Sequence, residues 1–342
     1  MTERRYSFPN AAFTSCIFNQ SLDTFLRTLP ASFVILTDEN VFNANPGLFA
    51  EKETVVIPAG EENKVQSTVD SIIEKLLQAD IDKTSYLVGV GGGVVTDMAG
   101  YVASVYKRGM HLALFPTSIL AMVDASLGGK NGVDVGMYKN MVGTVYQPEY
   151  IVFDFQFLNS LPEEEWVNGF AEIIKHACIC DLSLFELLEQ TTLHNIRQDP
   201  TWVASLIERN VEIKMGIVTR DEFEKADRKL LNFGHTLGHA IEKLHHIPHG
   251  HAISVGMVAA CTLSEKINGL HFSESKRIIS LLTKYHLPVD IETDYSRVFE
   301  VLKRDKKREG KHIHFVLLDK IGAAHAEPVS LDFLQQHLKD LV

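Results

Sequence analysis

The amino-acid sequence predicts an α/β domain over residues 1–158, followed by a mainly α-helical domain over residues 159–342. Two observations carry this. Short apolar runs alternate with helical patterns through the first 150 residues, which argues for a mainly parallel sheet covered by helices. After about residue 160 the chain turns to long helical segments and strand-like runs become rare. No internal repeat or low-complexity tract suggests another architecture.

The strands expected first are 32–38 (SFVILTD), 54–60 (TVVIPAG), 85–93 (SYLVGVGGG) and 112–118 (LALFPTS), each a short apolar run bounded by turn residues. Between them, 67–80 (STVDSIIEKLLQAD) spaces its apolar residues as an amphipathic helix does. A junction is expected near residues 155–162. Beyond it, 162–179, 201–222 and 251–267 read as helices, and 312–322 (HIHFVLLDKIG) as the best remaining strand. A cleft between two such domains is a frequent place for a small-molecule site.

Composition narrows the function. At 342 residues, 45% hydrophobic and 23% charged, the chain is long enough for two packed domains. Its net charge of −11 argues against nucleic acid or an acidic membrane as general partner, while leaving room for a basic pocket around a small anion. The start lacks an apolar core of signal-peptide length, and no segment approaches 18 unbroken apolar residues, so a cytoplasmic location is expected. Cys16, Cys178, Cys180 and Cys261 are too few and scattered for a disulfide framework and are expected as buried free thiols.

Several stretches carry chemistry. Residues 87–109 run from a strand through Gly91, Gly92 and Gly93 into a helix; such glycines admit a pyrophosphate and the helix start offers unpaired N–H groups. The spacing is G-G-G rather than G-x-G-x-x-G, so a plain tight turn is the competing reading. Asp38 and Asn40 in TDEN, and Glu61 and Lys64 in GEENK, fall at the ends of the first two strands, where α/β sheets collect ligands. The glycine-rich 124–143 carries Asp124, Lys130, Lys139 and Asn140, a way to surround a phosphate or equally a solvated loop. Glu172 and Lys175 lie one turn apart among Phe170, Ala171, Ile173 and Ile174, where a buried glutamate needs a cation.

Residues 230–251 (LLNFGHTLGHAIEKLHHIPHGH) hold six histidines. A metal site, anion or acid/base chemistry, and a polar helix end all remain open for them. His235 and His239, four apart, can share a helix face, but no Glu follows His235, so an H-E-x-x-H peptidase is excluded. His249 is a third ligand candidate, and a Glu/His/His set with an open position is the catalytic zinc pattern.

The blocks GGGVVTDMAGYVASVYKRG, PTSILAMVDASLGGKNGVD, KNMVGTVYQP, LPEEEWVNGFAEIIKHA, RKLLNFGHTLGHAIE, HGHAISVGM and RDKK, in this order over about residues 30–322, resemble the 3-dehydroquinate synthase family of sugar-phosphate cyclases. The resemblance implies a Rossmann-like NAD-binding domain and a helical metal- and substrate-binding domain, a fold shared with glycerol dehydrogenase and iron-dependent alcohol dehydrogenases. It implies Glu172, His235 and His249 as ligands of one divalent metal, Zn or Co. Lys130, Asn140, Asn232, His239 and Lys306 are implied around the substrate phosphate, with Arg108 entering from the other subunit of a homodimer. Asp124, Lys175, Lys214, Glu224 and Arg228 would line the carbocycle. Asp38, Asn40, Glu61, Lys64, Gly92, Gly93, Asp97, Thr117 and Ser118 would contact NAD, and Lys139 is counted with both sets. His245, His246 and His251 receive no role.

The family reaction turns 3-deoxy-D-arabino-heptulosonate 7-phosphate into 3-dehydroquinate and phosphate, by transient oxidation at C5, phosphate β-elimination, reduction and intramolecular aldol closure. The alternatives are a metal-dependent polyol or alcohol dehydrogenase, another sugar-phosphate cyclase, or a catalytically silent binding protein. The chain departs from the family pattern at Thr96, Asn131, Tyr138 and His251, and in a short interval between His235 and His249. These departures bear on loop conformation and substrate preference rather than on the reaction class.

Overall fold

The computed structural model describes all residues except 10, 11, 31, 137, 304–307 and 342. Internal contacts divide the chain into two units, Met1–Trp166 with Ala204–Phe223, and Val167–Val203 with Glu224–Val342. A single boundary after residue 158 does not express the return of 204–223 to the first unit.

The first unit is built on a seven-stranded sheet. Its strands are β1 (Thr2–Ser7), β2 (Phe13–Phe18), β3 (Phe33–Asp38), β4 (Thr54–Ile57), β5 (Tyr86–Gly91), β6 (His111–Pro116) and, after the hairpin β7 (Lys130–Val135) and β8 (Tyr138–Val145), β9 (Tyr150–Phe153). The spatial order is β1-β2-β9-β6-β5-β3-β4. All neighbours are parallel except β1 and β2. The central strands are buried on both faces, with Val34, Ile35, Leu36, Leu87, Val88 and Leu114 nearly inaccessible. That is why they read as unbroken apolar runs.

The chain leaves β3 for β4 at the sheet edge, then crosses back to β5 on the other side of β3. The ends of β3 and β5 thus flank a topological switch point, with Thr37 paired to Val90. The helices α1 (Leu22–Leu26), α2 (Glu39–Ala44), α3 (Pro46–Phe49), α4 (Gln66–Gln78) and α5 (Gly93–Val105) connect the strands.

The second unit takes most of α6 (Glu163–Cys180), then α7 (Leu182–Gln190) and α8 (Leu193–Arg197); α9 (Pro200–Arg220) belongs to the first unit from Ala204 onward. The second unit continues with α10 (His235–His245), α11 (His249–Asn268), α12 (Phe272–Lys284), α13 (Tyr295–Leu302), the strands β10 (Arg308–Glu309), β11 (His312–Lys320) and β12 (Ala323–Ser330), and α14 (Leu331–His337). Leu237, Ile241, Val255, Ala259, Ile313 and Leu317 form the core that fixes α10 and α11 against the small sheet.

Helices α10 and α11 pack almost backbone to backbone. A Cβ at Gly256 would stand 1.9 Å from the Gly234 carbonyl oxygen and 2.8 Å from the Gly238 nitrogen. Glycine is therefore required at this crossing, and it sets the height of His235 relative to α11.

Three of the four thiols are buried, whereas Cys180 is exposed. Cys178 and Cys180 lie two residues apart on α6, roughly 200° around the helix, so one faces the core and the other faces away. Burial pushes the Cys16 thiol up to about 12 and also raises those of Cys178 and Cys261. Iodoacetamide at pH 8 should therefore alkylate Cys180 alone in the folded protein. Intact mass should show a single adduct, and labelling of all four cysteines only after unfolding.

Candidate active site

In the first unit, the predicted nucleotide residues gather at the switch point. Helix α5 begins at Gly93 with Gly92 as its N-cap and no side chain capping it. Its first N–H groups are thus donors of the kind that accept an anion. A side chain at Gly91 would strike Val95 at 2.5 Å, whereas one at Gly92 would meet only Ser118 Oγ, at 3.7 Å. Thr117 donates its backbone N–H to the Gly91 carbonyl at 3.0 Å, and Ser118 Oγ accepts from Ala121 at 3.2 Å. Asp38 ends β3, where Oδ1 caps α2 by accepting from the Val41 nitrogen at 2.9 Å. Burial raises its pKa. Asn40 is exposed on the first turn of α2.

Lys64 is the hub beside them. Its buried ammonium meets Asp97 at 2.5 Å, Asn140 Oδ1 at 2.8 Å and Glu61 at 3.9 Å. Burial alone would lower its pKa, but Asp97 and then Glu61 hold it well above the ordinary lysine value. Lys139 lies 3.5 Å from Glu61. Asn140 has φ of 51°, and its backbone N–H donates to Asp134 Oδ1 at 2.7 Å. Asp134, which the sequence reading missed, donates its own N–H to the Lys64 carbonyl at 2.8 Å. No local pattern marks it, since its partner is some 70 residues away.

This arrangement separates the phosphate candidates. Lys130 is exposed and pairs with Val145 at the open end of the β7–β8 hairpin, while Asn140 lies toward the turn in the Lys64 cluster. Four to five strand residues, about 13–17 Å, lie between them. Asn131 bonds the Gly129 and Tyr146 carbonyls at 2.7 and 3.0 Å and fills the space over Gly100. That gives its departure from the family pattern a packing role.

Asp124 lies on a π-helical turn, Ala121–Ala125, a feature that often re-aims side chains at functional sites. Lys214, from α9, donates to Asp124 Oδ1 at 2.7 Å and to its carbonyl at 2.6 Å. Arg108 is exposed in a run of left-handed residues, with φ of 46° at Lys107, 65° at Arg108 and 120° at Gly109.

In the second unit, Glu172 is fully buried, and its two oxygens do different work. Oε2 receives the Lys175 ammonium one turn along α6. Oε1 faces His235 Nε2 at 3.5 Å and His249 Nε2 at 3.4 Å. Two ligands about 2.0–2.1 Å from a tetrahedral zinc stand roughly 3.3–3.4 Å apart, so these spacings fit one ion between the three donors. The set is one carboxylate and two imidazoles. Neutral His235 can give its Nδ1–H to the Phe233 carbonyl at 3.1 Å, which leaves Nε2 as the lone-pair donor.

His239 joins the same cluster, its ring centroid 5.1 Å from His235 and 6.1 Å from His249. Glu224, with φ of 59°, accepts from Asn232 Nδ2. Arg228 is buried in the same turn region. His245 bonds Thr293 at 2.8 Å, His246 closes α10 in a left-handed conformation, and the His251 carbonyl accepts from Ser254. Lys306 lies outside the described residues. Glu242 was missed by the sequence reading although it stands seven residues, two turns, after His235; its carboxylate is 3.4 Å from His249 Nδ1.

Burial lowers the His249 pKa, but the bonds to Glu172 and Glu242 outweigh it and raise it to about 10. In the metal-free protein that raised value contributes stability below about pH 6.5, the unfolded value, and the contribution is lost as pH rises through about 10. A metal held by His249 would have to displace this proton. Adding Zn2+ to chelator-stripped protein at pH 7 in weak buffer should therefore release about one proton per ion, and affinity should climb with pH until near 10.

Comparison with known proteins gives a consistent picture. Residues 54–168 match the model of the 3-dehydroquinate synthase N-terminal family and residues 169–308 that of the 3-dehydroquinate synthase C-terminal family. The 3-dehydroquinate synthase of Saccharolobus solfataricus is 40% identical over 297 residues, which cover 83% of this chain and 84% of that one. That of Dichelobacter nodosus is 36% identical over 334 residues, 94% of this chain and 90% of its own. Among solved structures, the 2-epi-5-epi-valiolone synthase of Streptomyces hygroscopicus with NAD+ and Zn2+ bound has a TM-score of 0.86 at 26% identity, covering 95% of this chain and 96% of that chain. The NADH-dependent butanol dehydrogenase A of Thermotoga maritima has a TM-score of 0.68 at 14% identity, covering 100% and 98%, a likeness of fold alone.

Proposed function

The chain belongs to the 3-dehydroquinate synthase family, and from that premise we infer that it converts 3-deoxy-D-arabino-heptulosonate 7-phosphate into 3-dehydroquinate and phosphate. It is a carbon–oxygen lyase of the shikimate pathway that uses NAD and one divalent metal. The observation that carries this reading is the buried Glu172 facing His235 and His249 at 3.5 and 3.4 Å, in a chain of this family.

Glu172, His235 and His249 would hold the metal. When bound, the metal supplies Lewis acidity toward substrate hydroxyls, and NAD supplies a reversible hydride acceptor. Substrate and products balance without net oxidation, so the cofactor is not consumed. The chain's own groups do the rest by positioning and charge. Lys175 holds the second oxygen of Glu172 and keeps the first aimed at the imidazoles. The Asp124–Lys214 pair places an acceptor and an ammonium donor beside one another, suited to a hydroxyl that loses and regains its proton. Lys64 and Asp97 order the cofactor loop, with Asp38, Asn40, Thr117 and Ser118 around it. Lys139 and Glu61 border the same place.

His239 and Asn232 are phosphate contacts of the second unit, where Glu224 orients Asn232, and Lys130 is a phosphate contact on the family resemblance. Arg228 completes the substrate lining, and Lys306 belongs to the phosphate set on sequence alone. Arg108, exposed on its left-handed turn, serves the partner protomer of a homodimer. The working location is the cytoplasm.

The test is phosphate release and NADH absorbance followed together, with chelator-stripped protein, the heptulosonate phosphate and NAD+, before and after Zn2+ or Co2+. Metal-dependent phosphate release without NADH accumulation is expected. NADH accumulating without phosphate would make the chain a dehydrogenase.

A further inference from the structure

We propose that Glu242 is a positioning residue of the metal centre, holding the His249 ring with Nδ1–H toward its own carboxylate so that Nε2 is presented to the ion. This rests on Glu172, His235 and His249 being the metal ligands, and it adds a residue from outside that set.

His249 is the first residue of α11, preceded by Pro248 as N-cap with no side-chain cap bond. A helix's first turn is its least constrained part, and the His249 side chain is still 25% exposed. Its own helix therefore does little to fix the ring. Both ring nitrogens instead meet carboxylates on other helices, Nε2 facing Glu172 of α6 at 3.4 Å and Nδ1 facing Glu242 of α10 at 3.4 Å. A neutral imidazole has one N–H and one lone pair. With the ion on the Glu172 side, the N–H must point to Glu242.

Glu242 is placed to receive it. It is 6% exposed, and a carboxylate so buried is costly unless hydrogen-bonded. Its backbone is pinned as well, because its carbonyl accepts from His246, which closes α10. The two imidazole ligands thus have unlike outer partners, a neutral carbonyl for His235 and a carboxylate for His249. The charged partner makes His249 the more basic donor. His239, one turn earlier on α10, also has a ring nitrogen within 4.8 Å of the Glu242 and His249 ligand atoms. Loss of Glu242 would therefore leave His249 free to turn toward His239.

The experiment measures Zn2+ affinity by chelator competition at fixed pH for full-length wild type, Glu242→Gln, Glu242→Ala and His235→Ala, with thermal unfolding of each metal-free protein. Outer-sphere partners are worth about 10–100-fold in metal affinity. Glu242→Gln, which keeps the shape and an acceptor oxygen but loses the charge, should weaken binding about tenfold. Glu242→Ala should approach the upper end, and the metal-free Gln variant should still unfold cooperatively, at a temperature lowered by the lost pairing with protonated His249. Wild-type affinity in Glu242→Gln, while His235→Ala loses it, overturns the role of Glu242 and leaves the metal centre standing. Wild-type affinity in His235→Ala overturns the metal centre and this proposal with it.

Discussion

Replacing Glu172 by alanine should abolish metal binding and turnover and cost the metal-free protein about 3–5 kcal/mol. The stability loss comes from Lys175, only 1% exposed, whose ammonium is paired with Glu172 Oε2 inside an apolar helix interface. Taking away one member of a buried pair leaves the other charge to be desolvated without it. Glu172→Gln separates the two effects, since the amide keeps the volume and an oxygen for Lys175 but brings no negative charge to the metal. Urea unfolding of stripped protein, beside bound zinc per chain, distinguishes them. A Glu172→Ala protein as stable as wild type would show that Lys175 is neutral or compensated elsewhere.

Gly256→Ala should be nearly as severe, for a steric reason. The new methyl would sit 1.9 Å from the Gly234 carbonyl oxygen and 2.8 Å from the Gly238 nitrogen, both backbone atoms that no rotamer change can move. Helices α10 and α11 would have to separate, at a cost of at least about 1–3 kcal/mol for overpacking. The shift acts on Gly234, the residue before His235, so zinc affinity should fall along with stability. Gly47→Ala is the control, since nothing lies within 4 Å of a Cβ there. At the exposed Gly47 position of α3 it should be neutral or stabilising by up to about 1 kcal/mol. Equal unfolding midpoints for the two variants would refute the packing argument.

What the sequence made legible follows from how local each signal is. Strands β3, β5 and β6 are buried on both faces and announce themselves as apolar runs, and long α6, α9 and α11 carry their period over many turns. β1, TERRYS, and β12, AAHAEPVS, carry no such run, because a half-exposed strand needs apolar residues on one face only. That Glu172, His235 and His249 come together was readable because His235 and Glu172 sit in dense local motifs. Asp134 and the Lys64–Asn140 bond were not, since they arise where a hairpin returns to a distant loop. Glu242 had a signal that went unused: its two-turn offset from His235 puts it on the same side of α10.

One consequence of the first unit's makeup concerns the order of synthesis. Arg4, on edge strand β1, reaches Glu208 at 3.0 Å and also pairs with Glu212, both on α9. Strand β1 is thus tied to a helix translated some 200 residues later. A growing chain cannot finish this unit when Trp166 emerges; it must first translate 167–203, which belongs to the other unit. At about 5–20 residues per second the wait lasts on the order of several seconds. During that time the nascent sheet lacks its last helix, so a chaperone or a neighbouring nascent chain meets an incomplete surface that the mature protein never displays.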